Sequence, residues 1–163
     1  MQIVDIKTIL EVYSQLDELV EADRQLLQEA RQATQLAYAP YSRFCVGAAL
    51  LLEDGTVVKG SNQENAAYPS GLCAERTAIF WAGANHPGKT IRSLAVTARH
   101  ANQPEQFLSA SSCGACRQAM LEYENRQGQP IRLIMQGDKQ QIWVSPSIAN
   151  LLPLQFNADN LKS

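Results

Sequence analysis

Three of the four cysteines lie at the starts of two predicted helices, where strand-like sequence gives way to helix-like sequence. Cys73 opens one predicted helix, and Cys113 and Cys116 open another. The C-x-x-C spacing places the sulfurs of Cys113 and Cys116 on one helical face, within reach of a single ion. Free N–H groups and a partial positive charge at each helix N-terminus favour thiolates over thiols. A fold in which these two helix starts meet would therefore create a site for one metal ion.

The three cysteines admit four interpretations. Buried free cysteine is a common fate for a single Cys, but it accounts poorly for three cysteines at two helix starts. A thioredoxin-like redox pair would use Cys113 and Cys116 and would leave Cys73 unexplained. A structural zinc site needs a fourth protein ligand, and neither His86 nor His100 lies near the cysteines in the pattern. Three protein ligands with one open position are typical of a catalytic zinc, which activates water.

The composition predicts one globular domain. The chain has 163 residues, of which 45% are hydrophobic and 18% charged, enough apolar sequence for a core without disulfides. A net charge of −2 lacks the positive excess that a dedicated nucleic-acid-binding protein needs. No run approaches the roughly 18 apolar residues of a membrane span. No basic segment precedes an apolar stretch at the N-terminus, so we expect no signal peptide and a cytoplasmic location.

Strand-like and helix-like segments alternate along the chain. The predicted strands cover 2–13 at a sheet edge, 46–52, 57–60, 91–98, 131–136 and 141–144. The first predicted helix begins at Glu21 and ends before Pro40. The second covers 74–81, with a break at Gly83, the third covers 113–124, and a short fourth helix covers 148–152. This alternation predicts an α/β fold with three layers, α/β/α, around a mixed sheet of about five strands.

Glu75 follows Cys73 by two residues and has two possible roles. A carboxylate in the first turn of a helix stabilises it by a few tenths of a kcal/mol. The alternative is a general acid/base beside an activated water. Residues two apart on a regular helix point in roughly opposite directions, so Glu75 reaches the metal only if Cys73 sits at the cap, before regular helix begins.

The motifs together resemble those of the cytidine deaminases. The segments Cys73-Ala74-Glu75-Arg76-Thr77-Ala78 and Cys113-Gly114-Ala115-Cys116-Arg117-Gln118 are similar to the zinc signature of that family. The resemblance includes segments 39–44, 62–68 and 151–153, and extends from about 26 to 161. The three-cysteine form resembles the small homotetrameric branch. The resemblance implies one such domain over 1–163, with residues 1–20 as an N-terminal extension.

The resemblance implies one Zn²⁺ per subunit, held by Cys73, Cys113 and Cys116. It makes Glu75 the catalytic acid/base, which takes a proton from the attacking water, delivers it to ring N3 and then protonates the departing amine. Three thiolates around Zn²⁺ leave a net charge of −1. In the similar family an arginine at the Arg76 position hydrogen-bonds the ligand sulfurs and offsets that charge.

The substrate-binding residues also come from the resemblance. Asn62 and Glu64 match a pair that binds the ribose, and Phe44 matches an aromatic residue that lines the base pocket. Backbone groups of Ala74 are expected to read the pyrimidine edge. An aromatic residue at the Phe156 position enters the pocket of a neighbouring subunit, which implies a homotetramer with shared active sites.

The implied function is hydrolytic deamination of cytidine and 2′-deoxycytidine to the uridine forms plus ammonia, in pyrimidine salvage. The alternatives are a deaminase of a modified cytosine nucleoside, and a thiol redox or structural zinc protein without hydrolase activity. Two positions depart from the family pattern, which usually has Pro where Ser112 and Cys45 stand. Ser112 is a suitable N-cap residue for the Cys113 helix, and Cys45 is expected to be a small buried residue outside the ligand set.

Overall fold

A computed structural model describes residues 1–162. Within them, the strands are β1 (Glu11–Tyr13), β2 (Phe44–Leu52), β3 (Val57–Ser61), β4 (Ile91–His100), β5 (Phe107–Leu108), β6 (Arg132–Gln136) and β7 (Ile142–Ser145). The α-helices are α1 (Glu21–Ala33), α2 (Ala74–Asn85) and α3 (Gly114–Gln127). Short 3-10 turns connect several of these elements, among them Thr34–Leu36 after α1 and Ala149–Leu151 after β7.

The strands form one mixed sheet in the order β1-β7-β6-β4-β2-β3. β4 and β6 run parallel and the other neighbours on this path run antiparallel. β5 pairs with β4 at Ala98 and Arg99, beyond the stretch that pairs with β6. The sheet therefore has seven strands within the described residues, and the expected number of about five is too low. β5 has two residues, too few to show an alternating pattern in the sequence.

Alternating side chains of the central strands pack against helices on both faces of the sheet. Ala48 and Leu50 of β2 belong to a core with residues of α2 and α3, whereas Ala49 between them belongs to a core with α1. This is the period-2 alternation of a strand buried on both sides. The predicted three-layer α/β/α class is confirmed. No helix in the described part of the chain is long and apolar enough to cross a membrane.

Helix α2 continues through Gly83 to Asn85, so the predicted break at Gly83 is wrong. A Cβ on Gly83 would lie 2.6 Å from the Tyr123 hydroxyl oxygen of α3. The glycine therefore lets the Tyr123 side chain of α3 pack closely against α2. In β3, Gly60 allows a similar close approach, because an added Cβ would lie 2.5 Å from the Ala74 carbonyl oxygen at the start of α2.

The Glu124 carboxylate connects α3 to the C-terminal segment. Its Oε2 accepts hydrogen bonds from the backbone N–H groups of Ile131 at 2.7 Å and Ile148 at 2.8 Å. Its Oε1 accepts one from Ala149 at 2.9 Å, at the start of the 3-10 turn. One buried acidic side chain thus satisfies three backbone donors.

The N-terminal segment forms less strand than expected. Of the predicted strand over 2–13, only Glu11–Tyr13 is regular, and it pairs antiparallel with β7 at the edge of the sheet. The preceding residues run along the surface, where Thr8 Oγ1 donates to the Asn150 carbonyl at 3.0 Å.

Candidate metal centre and substrate cleft

Cys73 and Cys113 occupy equivalent positions at the starts of α2 and α3. Each is the N-cap residue, with φ −72° and ψ 157° for Cys73 and φ −69° and ψ 166° for Cys113. The extended backbone places both residues just outside their helices, beside free N–H groups of the first turn. Cys116 lies one turn into α3, and its sulfur and those of Cys73 and Cys113 all lie within 4.8 Å of one another. The N-cap of α3 is therefore Cys113, and the expectation that Ser112 caps this helix is wrong.

The three sulfurs suit a single zinc ion. Thiolates about 2.3 Å from a tetrahedral Zn²⁺ lie about 3.8 Å apart, and Cys113 Sγ and Cys116 Sγ are 3.5 Å apart. A hydrogen bond from the Cys116 thiol and the nearby Arg76 guanidinium lower the pKa of Cys73 to about 5. The same bond to the Cys73 sulfur raises the pKa of Cys116. The protein alone thus already stabilises one thiolate in this cluster, which is the ligand form that zinc needs.

Glu75 is brought to the sulfur cluster by the cap position of Cys73. The side chain is 3% exposed, in the first turn of α2. Burial raises the pKa of Glu75, and the negative charge of the Cys73 thiolate raises it further. The sequence allows Glu75 to reach the metal only if Cys73 is the cap residue. Cys73 does lie outside the regular helix, and the Glu75 carboxyl group interacts with the Cys73 and Cys116 sulfurs.

Arg76 contacts the sulfur of Cys73. Its Nη2 donates to the Cys73 sulfur at 3.9 Å, and this contact raises the pKa of Arg76. The guanidinium Nε is buried without a hydrogen-bond partner within residues 1–162. The residue thus supplies a positive charge beside the thiolate, as the resemblance implies.

A cleft of about 590 Å³ opens from Cys73 and Arg76 toward the loop between β3 and α2. It contains three of the predicted substrate-binding residues, Phe44, Asn62 and Glu64. Its other lining residues are Tyr41, Ser42, Val46, Gln63, Asn65, Ala66, Tyr68, Gly71 and Leu72. The cleft therefore combines an apolar wall from β2 with polar groups from the loop, a common composition for a small-molecule site.

The Asn62 side chain is already engaged with the backbone of β2. Its Nδ2 donates to the Phe44 carbonyl at 2.9 Å, and its Oδ1 accepts from the Val46 N–H at 2.8 Å. These two bonds hold the first residues of β2 against the loop. One N–H and one lone pair of the amide remain for a ligand.

The Glu64 carboxylate anchors the turn that leads into β2. It accepts hydrogen bonds from the Tyr41 N–H at 3.0 Å, the Ser42 N–H at 3.3 Å and the Ser42 hydroxyl. The hydroxyl bond is the main reason that the pKa of Glu64 is lowered. Arg43 in this turn has φ +56°, a conformation that needs such support. Ser42 is the partner that sequence reasoning missed, and its only signal is its place in the 39–44 motif.

The remaining predicted residues lie around this site. Ala74 is fully buried at the first position of α2, where a backbone N–H has no partner within the helix. Phe156 is 59% exposed, and its carbonyl accepts from Gln118 Nε2 on α3 at 2.8 Å. It does not line the cleft of its own chain. Cys45 is buried in β2, outside the sulfur cluster.

Comparison with known proteins identifies the family. A family model described as the cytidine and deoxycytidylate deaminase zinc-binding region matches residues 20–128. A cytidine deaminase of Halalkalibacterium halodurans is 44% identical over 140 residues, which cover 85% of this chain and 98% of the relative. The chain belongs to the cytidine deaminase family. A second relative, the cytidine deaminase of Mycobacterium tuberculosis, is 38% identical over 135 residues, which cover 81% of this chain and 87% of that protein.

Solved structures of cytidine deaminases have the same fold. The one from Burkholderia pseudomallei superposes with a TM-score of 0.69 at 37% identity, covering 85% of this chain and all of that one. The one from Mycobacterium tuberculosis has a TM-score of 0.63 at 34% identity, covering 85% of this chain and 98% of that one. The predicted family is confirmed. Zinc as the cofactor is confirmed too, because the matched zinc-binding region includes the three clustered sulfurs.

Proposed function

We propose that the chain hydrolyses cytidine and 2′-deoxycytidine to the corresponding uridines and ammonia, in pyrimidine salvage. The observation that carries the proposal is a cluster of three cysteine sulfurs, beside the buried Glu75 carboxyl group, that reaches a cleft of about 590 Å³ through Cys73. A redox dithiol would need only Cys113 and Cys116, whereas here Cys73 shares the cluster and lines the cleft.

Zn²⁺ held by Cys73, Cys113 and Cys116 supplies a Lewis acid that lowers the pKa of water toward neutrality. Each of the two helices contributes the positive end of its dipole to this site, and Arg76 adds a full charge. These groups offset the negative charge of the thiolates, which would otherwise weaken the Lewis acid.

Glu75 moves the protons of the reaction. Its carboxylate accepts a proton from the attacking water and passes it to N3 of the pyrimidine ring as the water oxygen bonds to C4. It then accepts the remaining hydroxyl proton of this adduct and gives it to the amino nitrogen, so that the C4–N bond breaks, C4=O forms and ammonia leaves. Burial of the side chain keeps bulk water away from these transfers. A positioned acid/base group of this kind contributes about 10² to 10⁴ to a rate.

The cleft orients the nucleoside. Phe44 and Val46 offer apolar surface to the base, and the backbone of Ala74 offers polar groups to the pyrimidine edge. The free hydrogen-bonding groups of the Asn62 amide and the Glu64 carboxylate bind the sugar hydroxyls. The rigid hydrogen bonds of both side chains to the β2 region hold them in place without substrate, which lowers the entropic cost of binding.

We also propose that the active unit is a homotetramer with shared sites, in the cytoplasm. Phe156 supports the first part, because it is exposed and lies outside the cleft of its own chain. The free thiols at the metal centre support the cytoplasmic location, because a reducing compartment keeps them from forming disulfides.

The test is loss of the ultraviolet absorbance of cytidine, measured with purified protein before and after zinc chelation and after zinc is restored. We expect turnover in the native protein, loss on chelation and recovery with zinc, together with one ammonia per uridine. Absence of turnover in zinc-loaded protein, combined with a reducible disulfide between Cys113 and Cys116, would support the redox alternative and overturn the proposal.

A further inference from the structure

The N-terminal segment presents an unusual amount of apolar side chain to solvent. Ile3, Val4, Ile6, Ile9 and Val12 are each more than half exposed. β1 is the outermost strand on its side of the sheet, so its outer edge is unpaired within the described residues. The family model begins at residue 20, so none of this segment belongs to the matched region. Exposed apolar sheet edges pair readily with another strand.

Hydrogen bonds of Ile9 define which residues face the open edge. The Ile9 N–H donates to Asn150 Oδ1 at 3.2 Å, and Asn150 Nδ2 donates to the Ile9 carbonyl at 2.9 Å. Both backbone groups of this odd-numbered residue therefore point toward its own chain, beyond the end of β7. Backbone groups alternate sides along a strand, so a strand continued from Ile9 toward the N-terminus would point those of its even-numbered residues to the open side.

The sequence of this segment is complementary to itself in an antiparallel arrangement. If two copies pair with Ile6 opposite Ile6, Asp5 of each lies opposite Lys7 of the other, and Ile3 lies opposite Ile9. On the other face, Val4 lies opposite Thr8. Cross-strand pairs of opposite charge and of β-branched residues are those that stabilise a sheet.

The charge pattern and the hydrogen-bond direction agree on one register. In a pair centred on Ile6, each even-numbered residue of one copy lies opposite an even-numbered residue of the other. In a strand continued from Ile9, these are the positions whose N–H and C=O groups face the open edge. Asp5 and Lys7 form no ion pair within residues 1–162, so both charges are available to a second copy.

We propose that residues 2–10 pair antiparallel with the same residues of a second copy of this chain, around a twofold axis at Ile6. The contact is isologous, as in most homodimers. It extends the sheet of one copy beyond β1 and covers the exposed apolar side chains of both. The segment has one lysine and one aspartate and therefore no basic cluster for an anionic membrane surface, which favours the self-pair.

Zero-length carbodiimide cross-linking of the full chain tests the pairing directly. Equal amounts of ¹⁴N- and ¹⁵N-labelled protein are mixed, cross-linked and digested, and mass spectrometry identifies amide links that join one light and one heavy peptide. We expect an Asp5–Lys7 link between differently labelled chains. Asp17, an exposed acid outside the segment, is the internal control and gives no link to Lys7.

Charge-exchange variants test the register. Asp5→Lys and Lys7→Asp each place like charges opposite one another and abolish the link. The double variant D5K/K7D restores opposite charges and restores an intermolecular link between the exchanged positions. A double variant that cross-links no better than the single ones would overturn the proposal.

A proline pair tests the hydrogen-bond direction. Ile6→Pro removes an N–H that faces the second copy and reduces the intermolecular link at least about fivefold. Ile3→Pro, whose N–H faces the other way, retains most of it. Equal links in both variants, or no mixed-label link in the wild-type protein, would show that this edge does not pair with a second copy. Cytidine turnover does not report on either outcome, because the segment lies outside the cleft.

Discussion

At the scale of single residues, the cysteines divide into three that share a site and one that does not. Replacing Cys113 by Ala removes a ligand, so zinc content and cytidine turnover should both fall to near background. Cys45→Ala is the matched control, because Cys45 is buried in β2 away from the cluster. Metal analysis of both purified variants checks this. Zinc lost from Cys45→Ala but retained in Cys113→Ala would refute the ligand assignment.

A substitution at Glu75 can remove the acid/base function of the side chain while keeping its packing. Glu75→Gln keeps the size and polarity of the side chain but cannot accept a proton. We expect normal zinc content and a turnover number reduced by at least about 10²-fold. Glu122→Gln makes the same change at an exposed position of α3 and should leave turnover unaltered. Near-normal turnover in Glu75→Gln would leave this residue only a role in the first helical turn.

Arg76 acts on the charge of the cluster through the Cys73 sulfur. Arg76→Gln leaves the thiolates with less compensation, so zinc retention or turnover should fall by about 10- to 100-fold. The exposed Arg92 on β4 provides a control, Arg92→Gln, with the same loss of charge. Competition with a chromogenic chelator measures the zinc affinity of each variant. If both variants match the wild-type protein, the two helix N-termini alone offset the thiolate charge.

At the scale of elements, the position of α2 depends on its contact with β3. An added Cβ on Gly60 would lie 2.5 Å from the Ala74 carbonyl oxygen and 2.6 Å from the Ala78 N–H nitrogen, both rigid backbone atoms. Gly60→Ala should therefore push the start of α2, with Cys73, away from the sheet. We expect a loss of about 1–3 kcal/mol in the free energy of unfolding and weaker zinc binding.

Denaturant unfolding monitored by circular dichroism measures this loss. Gly114→Ala is the control for stability, because an added Cβ there meets no atom within 4 Å. Equal stability of the two variants would mean that β3 and α2 separate without cost, which the packing of Ala74 and Ala78 in the core argues against.

At the scale of the whole molecule, variants of Phe156 test whether one chain contains a complete active site or needs a residue from a neighbouring chain. It is exposed and held by Gln118 on the outer side of α3. If a neighbour's Phe156 stacks on the pyrimidine, Phe156→Ala should raise KM for cytidine and leave the zinc in place. A base–aromatic stack is worth about 1–3 kcal/mol, which corresponds to about a 5- to 150-fold change in KM.

Subunit mixing separates a shared site from a local effect. Glu75→Gln subunits lack the acid/base, and Phe156→Trp subunits carry a ring too large for the pocket, so each alone should be inactive. In the proposed homotetramer, mixing the two variants would create sites with a normal Glu75 and a normal Phe156 from different chains, and these should regain part of the activity. Mixed tetramers without activity, or an active monomer, would show that the site is not shared.

Much of the metal site follows from local sequence. A cysteine before a helix and a C-x-x-C at the start of another are short-range signals. The structure places Cys73 and Cys113 at helix starts as expected, although Cys113 rather than Ser112 is the cap of α3. The alternation of strand-like and helix-like segments likewise predicts the three layers, because helices that alternate with the strands of one sheet pack against its faces. Such features depend on residues close in the chain, so sequence alone determines them.

Tertiary structure decided the features that join distant residues. Gly83 leaves room for the Tyr123 side chain of α3, and the Glu64 carboxylate accepts a hydrogen bond from the Ser42 hydroxyl. The Asn62 amide binds the β2 backbone, a role that no spacing indicates. These contacts join residues some 16 to 40 positions apart, and hydrogen bonding and close packing over such separations leave no periodic trace in the sequence.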